Sequence, residues 1–210
     1  FFLRVAAHRK LNEPDRALKL SDMALRLFPL DHALRHERHL LGAISESDFL
    51  ALVRGEFPDE TILGLADRYD EIGFTEEARR LWTSIADRSM LARVRLAKSF
   101  DDPAQLAEAA KLPLPELPPH RALDAKAGAW AAKRSNDWRW RYLCAVWYAS
   151  IGREDDARAL LDCVKDASDP VFYLFRARFK KGMERFRDLC QARKKGDSWR
   201  VGRDLMAHFA

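Results

Sequence analysis

The segment Leu65-Ala66-Asp67-Arg68-Tyr69-Asp70-Glu71-Ile72-Gly73-Phe74-Thr75-Glu76-Glu77-Ala78-Arg79-Arg80-Leu81-Trp82 decides the fold of this chain. A small residue and an aromatic, Ala66 and Tyr69, stand on a first helix. Gly73 ends that helix, as a left-handed cap requires. Thr75, Glu76 and Glu77 then bring a capping oxygen and carboxylates to the positive start of a second helix, in which Ala78 comes early. The arrangement returns at Cys144-Ala145, Tyr148, Gly152, Ala157, Leu161, and in looser form at Val5, His8, Asn12, Ala17, Ser21, Ala24, Pro29. Outward from these hairpins, apolar residues keep helical spacing almost throughout and strict alternation does not persist. The spacing predicts helices at 1–11, 14–28, 31–43, 46–54, 59–72, 75–88, 89–100, 103–111, 120–134, 137–151, 154–166, 169–181, 183–195 and 197–210. Asn12-Glu13-Pro14 sets a proline at a helix start, where its missing N–H costs nothing. The joins are short, so neighbouring helices run antiparallel. An all-α chain of many short helices fits an α-solenoid of stacked antiparallel pairs better than one closed bundle.

This pattern resembles the tetratricopeptide repeat. In that family the small residues let paired helices approach closely, and the aromatic fills the gap between hairpins. Ala17 and Ala78 are 61 residues apart, Ala78 and Ala157 79, so each interval holds one further, degenerate hairpin and the repeats are irregular. Neither interval is a multiple of the 34-residue family period, and a HEAT-like solenoid stays open. The runs Phe28-Pro29-Leu30-Asp31-His32-Ala33 and Val53-Arg54-Gly55-Glu56-Phe57-Pro58-Asp59-Glu60-Thr61 are similar to a helical-repeat region of some bacterial multidomain proteins, where it follows a β-rich domain of unknown function. That likeness covers residues 1–181 and implies a sugar-directed β-rich part for a parent chain, not for these residues.

Composition fits a folded chain: 210 residues, 48% hydrophobic and 33% charged, with a mean hydropathy of −0.39. A single solenoid over 1–210 is expected. Pro113-Leu114-Pro115-Glu116-Leu117-Pro118-Pro119 cannot be helical; it either divides the solenoid at 113–119 or packs along its surface. No run of about eighteen apolar residues exists to span a membrane. The chain opens on Phe1 rather than Met, which reads as a fragment or a processed product, and the opening segment is too short for a secretory signal. Cys144, Cys163 and Cys190 are odd in number and set among apolar residues. They read as small buried hydrophobes in a reducing, cytoplasmic compartment rather than as a disulfide frame or zinc site. Net charge is +5, but Val171 onward carries eleven Lys or Arg against four acids, a local +7 that leaves −2 for the rest.

Several constellations invite chemistry and have plainer explanations. Trp138, Tyr142 and Val146 form one face of a helix and Trp140, Cys144, Trp147 and Ile151 the opposite one, which describes a helix buried between two neighbours. His32, His36 and His39 share a face with metal-compatible spacing, but they read as solvated surface histidines, and no cofactor or metal is expected. Glu76-Glu77, Asp101-Asp102 and Asp155-Asp156 fall at predicted helix starts, where the macrodipole accounts for them. No GxGxxG, Walker loop, GxSxG or HExxH occurs, so nothing proposes an enzyme. Phe172, Phe175 and Phe179 alternate with Arg176, Arg178 and Lys180, a mixture that nucleic-acid binding uses. The three rings share one face, however, and read as core, with the cations on a solvated or docking face.

These readings lead to a protein or peptide partner held on a concave surface lined by the first helix of each hairpin. Asp67, Asp70 and Glu71 would supply an acidic section on one hairpin, Arg139, Tyr142 and Val146 the surface of another, and Arg176 and Lys180 the basic end. The Lys and Asn of a chaperone-tail clamp are absent, because their positions carry Phe2, Ala6, Gly64 and Leu143. A different expectation is a helical accessory module of a carbohydrate-processing protein, bound to other domains of its own parent chain; a large exposed apolar end face would favour it. Nucleic acid at the basic end is the least favoured partner.

Overall fold

In the computed structural model, which describes residues 1–53, 55, 57–115, 117 and 119–196, thirteen helices and no strand occur among the described residues. They are α1 (Phe2–Lys10), α2 (Pro14–Leu27), α3 (His32–Leu40), α4 (Glu46–Leu52), α5 (Pro58–Glu71), α6 (Thr75–Thr83), α7 (Met90–Ser99), α8 (Gln105–Ala109), α9 (Ala122–Ala132), α10 (Trp138–Ser150), α11 (Glu154–Asp162), α12 (Pro170–Ala177) and α13 (Gly182–Lys194). The helix expected at 197–210 lies outside the described residues. Local chemistry sets the starts. Asp31 accepts from the Ala33 and Leu34 amides at 2.9 and 3.2 Å, Asp137 from Arg139 and Asp169 from Val171, both at 2.9 Å. Pro14, Pro58 and Pro170 open their helices. Thr75 does not cap α6 as expected: Phe74 holds the cap position, and Thr75 is already helical.

The turns are the repeating element. Asn12, Gly73 and Gly152 adopt φ of 58°, 80° and 78°. After each, the next amide donates back to the last turn of the helix: Glu13 to the His8 carbonyl, Phe74 to Tyr69 and Arg153 to Tyr148, all within 2.8–2.9 Å. Two more such turns fill the intervals where the sequence pattern lapses. Gly42 (φ 75°) leads to an Ala43–Arg38 bond, and Asp101 (φ 49°) to an Asp102–Ala97 bond. These close the pairs α3/α4 and α7/α8. Asp101 is therefore a turn residue in left-handed backbone rather than a helix-start acid, and it accepts from Trp130 Nε1 and Arg134 at 3.1 Å each.

The chain forms two compact units, Phe1–Ile85 and a second from Ala86 onward. Consecutive helices pack in pairs within each: α1 with α2 and α5 with α6, then α10 with α11 and α12 with α13. The pattern alanines Ala17, Ala78 and Ala157 are all fully buried. In the first unit Val5, Ala17, Ala24 and Leu34 gather Phe2, Leu20 and Leu41 around them. In the second, Trp138, Ala145, Leu161, Phe172, Tyr173 and Leu189 form one cluster. Leu114 of the proline-rich stretch packs on that cluster. At Gly128 of α9 an added Cβ would sit 2.9 Å from Cys144 Sγ, which is how closely α10 approaches. Trp140 is fully buried and Trp138 nearly so, on opposite faces of α10 as the periodicity requires, but Ile151 at its end is exposed.

Three helices end four or five residues earlier than periodicity predicts, at Thr83, Asp162 and Ala177. At the first, Thr83 and Ser84 hydroxyls donate to the Arg79 and Leu81 carbonyls at 2.8 Å and compete for the ladder. The early end of α11 places Cys163 at its C-cap, exposed, while Cys190 is half-buried and only Cys144 is buried as expected. Burial pushes the Cys144 thiol up to about 12, so a water-soluble disulfide reagent should label Cys163 fastest and reach Cys144 only on unfolding, as mass spectrometry of a labelling time course would show. Ala78→Asp and Ala157→Asp should each lower stability by about 3 kcal/mol or more in chemical denaturation, because both side chains are fully enclosed.

Candidate binding surfaces

Asp67, Asp70 and Glu71 lie on α5, one side of which is built into a buried polar network. Glu37 of α3 is fully buried and accepts from Arg9 Nε of α1 at 2.7 Å and Arg9 NH2 at 3.2 Å. It also accepts from the Tyr69 hydroxyl of α5 at 2.7 Å. Because Tyr69 spends its one proton on Glu37, the bond between Tyr69 and His36 Nδ1, at 2.9 Å, has the imidazole as donor. Arg9 also reaches Glu77 of α6 at 2.9 Å, and Lys10 joins it at 2.5 Å. Two expectations fail here. His36 is 3% exposed, set between Tyr69 and Phe49, and is not a solvated surface histidine. Glu77 is buried between two cations and is not explained by the helix dipole alone, whereas Glu76 and Asp156 do remain in exposed pairs with Arg79 and Arg153. The signal missed was long-range: Tyr69 stands 33 residues from His36 and 32 from Glu37, and helical periodicity says nothing about what meets across hairpins. Among the described residues no group of three or more His, Cys, Asp or Glu is placed to hold a metal. Of the acidic section itself, Asp67 is buried and already engaged, Asp70 half-buried and Glu71 exposed.

Tyr142 and Val146 of α10 come together as the sequence grouped them, in an apolar groove of about 440 Å³ between α10 and α12. Phe175 and Val171 form the opposite wall, with Leu114 and Pro115 of the proline-rich stretch alongside. Tyr142 is half-buried; its ring meets Phe175 at 5.6 Å and Trp138 at 5.8 Å, both edge-on. Burial and the charge of Asp169 push its hydroxyl up to about 12, so it stays a protonated donor. Arg178 rides 5.6 Å over the Phe175 ring at the groove edge. Arg139 is not part of this groove: Asp137 holds it at 2.9 Å beside the start of α10.

Arg176 and Lys180 meet in a polar cleft of about 410 Å³ between α12 and α13. Arg176 is spent on structure. It grips Asp188 with Nε at 2.9 Å and NH2 at 2.6 Å, and donates NH1 to the Val164 carbonyl at 2.9 Å. Lys180 is looser, 3.4 Å from Asp162 and 3.8 Å from Asp188. Phe172 is fully buried, and Phe175 and Phe179 pack against the same core, so these rings belong to the interior face as the periodicity indicates. Lys165 and Arg187, at the rim of this cleft, did not figure in the sequence grouping. The last basic residues of the run, Arg200 and Arg203, lie outside the described residues.

Burial in the network pushes His36 down to about 3, with Arg9 and His39 adding to the effect. A histidine depressed in the folded state binds its proton more readily when unfolded, so the stability it contributes is complete above its ordinary value and falls with pH between about 6.5 and 3. Between pH 6.5 and 5, where most carboxylates are still charged, denaturant melts should lose up to about 1.4 kcal/mol per pH unit, and His36→Asn should remove most of that slope. Compared with known proteins, no family model matches this chain, and neither a curated protein nor a solved structure matches it.

Proposed function

We propose that this chain is a non-catalytic, tetratricopeptide-like solenoid of irregular helix pairs that holds a protein or peptide partner on the surface of its first helices. The observation that carries the reading is the α10/α12 groove. Its two walls come from the first helices of successive pairs, α10/α11 and α12/α13. It combines an apolar floor with a tyrosine hydroxyl and a guanidinium, the mixture of anchor and orienting groups that peptide-binding grooves use. Asp70 and Glu71 offer a separate acidic surface on the first unit, which suits a partner of mixed charge. Among the described residues no helix is long and apolar enough to cross a membrane, and a cytoplasmic setting, with its cysteines reduced, is part of the same proposal.

A second reading has one observation in its favour. Leu3, Leu11 and Met23 are all exposed on the first helix pair, more than half of each side chain's surface being open. Exposed apolar side chains gathered on one hairpin suit a module that packs on another domain. In that case the chain is a helical accessory of a larger protein, one whose β-rich part handles carbohydrate.

Site-specific photo-crosslinking separates the two. A crosslinker at Val146 or Arg178 should trap a discrete partner while one at Arg158, on the exposed side of α11, does not. Capture at Leu3 or Met23 alone, by a domain of the same longer chain, would select the second reading instead.

A further inference from the structure

We propose that a cleft between α5 and the α2–α3 loop, separate from the α10/α12 groove and from the α12/α13 cleft, is a binding site for a small apolar carboxylate. The cleft encloses about 660 Å³ and belongs wholly to the first unit. That volume is in the range of small-molecule sites, typically about 300–1,000 Å³. Leu27, Phe28 and Leu30 form one side and Leu65 the other. These three are unusually open for their type, at 62%, 53% and 76% exposed, although Arg35 ties down the loop by donating to the Pro29 carbonyl. An apolar wall held in place and left uncovered is suited to an apolar ligand.

The charges in the cleft choose the head group. Its two acids are committed elsewhere: Asp31 caps α3 through the Ala33 and Leu34 amides, and Glu60 has a contact of its own. Arg68, exposed on α5, has no carboxylate within ion-pair distance among the described residues. His32 supplies the second, independent observation. Its Nδ1 is buried without a hydrogen-bond partner, an arrangement that folded proteins rarely leave in place. Burial, Arg35 and Arg68 all favour its neutral imidazole, and Asp31 works the other way. One free guanidinium beside apolar walls matches a planar monoanion, which it can grip with two parallel bonds. A phosphate dianion would need more cations and would face Asp31 and Glu60. The ligand class is therefore an aliphatic or aromatic carboxylate with an apolar tail. The site is separate from the α10/α12 groove and does not depend on what that groove holds.

The probe is octanoate, with octanamide as its uncharged counterpart, titrated into the ¹⁵N-labelled chain at pH 7. Octanoate should shift amides of residues 27–33 and 60–68 and raise the midpoint of the His32 imidazole, because the bound anion offsets the neighbouring cations. Arg68→Gln, at an exposed position that leaves the fold intact, should weaken octanoate about tenfold and leave octanamide unchanged. Leu30→Ser, equally exposed, should weaken both. Equal binding of the two probes to the unaltered chain would reduce the cleft to a nonspecific apolar surface and overturn the carboxylate assignment. So would shifts confined to other residues, or the absence of saturable binding.

Discussion

The first unit is organised around one carboxylate. Glu37 is fully buried, and a buried anion is tolerated only with its partners in place. Arg9 and Tyr69 supply them from α1 and α5, and Arg9 carries the connection on to Glu77 of α6. Four helices are thereby held to one register, since sliding any of them strands a charge or a hydroxyl in the interior. Such a network adds little stability over a well-packed apolar core, but removing one member leaves the rest unsatisfied, at a cost of about 3–5 kcal/mol.

The same solution appears in the second unit. Arg95 of α7 pairs with Asp124 of α9, both almost fully buried, and Arg176 of α12 pairs with Asp188 of α13. Around these pairs the packing is supplied by small residues. Ala78, Ala157 and Gly128 are not fillers; they set how closely neighbouring helix axes lie, and the aromatics Tyr69, Trp140 and Phe172 occupy the space that remains. Alanine contacts are nearly interchangeable along a helix. The buried ion pairs are specific and distinguish one register from the next.

Polar residues thus divide into two populations with different consequences for function. Arg9, Arg95 and Arg176 are consumed by the fold and have little left for a partner. Arg178, Glu71 and Arg68 stay exposed at the rims of apolar or acidic surfaces, those on which the proposed partner and ligand would be held. Arg176 and Arg178 are two residues apart and belong to different populations, because the helix turns one toward α13 and the other toward the groove edge.

The sequence by itself determined the helices and their turns. Proline at helix starts, Asp31 and Asp137 as caps, and Gly73 and Gly152 in left-handed backbone act over a few residues, and their geometry follows from local sterics and hydrogen bonding. The alanines and the opposed tryptophan faces of α10 were legible for the same reason, as was the pairing of Tyr142 with Val146 one turn later. Tertiary structure alone decided the rest. His36 resembles His39 in the sequence, yet it is buried between Phe49 and Tyr69, and Tyr69, 33 residues away, accepts its hydrogen bond. Arg176 looked available until Asp188 closed on it, and Leu114 acquired a place only when α10 and α12 formed a wall. Periodicity reports which side of a helix is apolar; it carries no record of which charge from another helix will face that side.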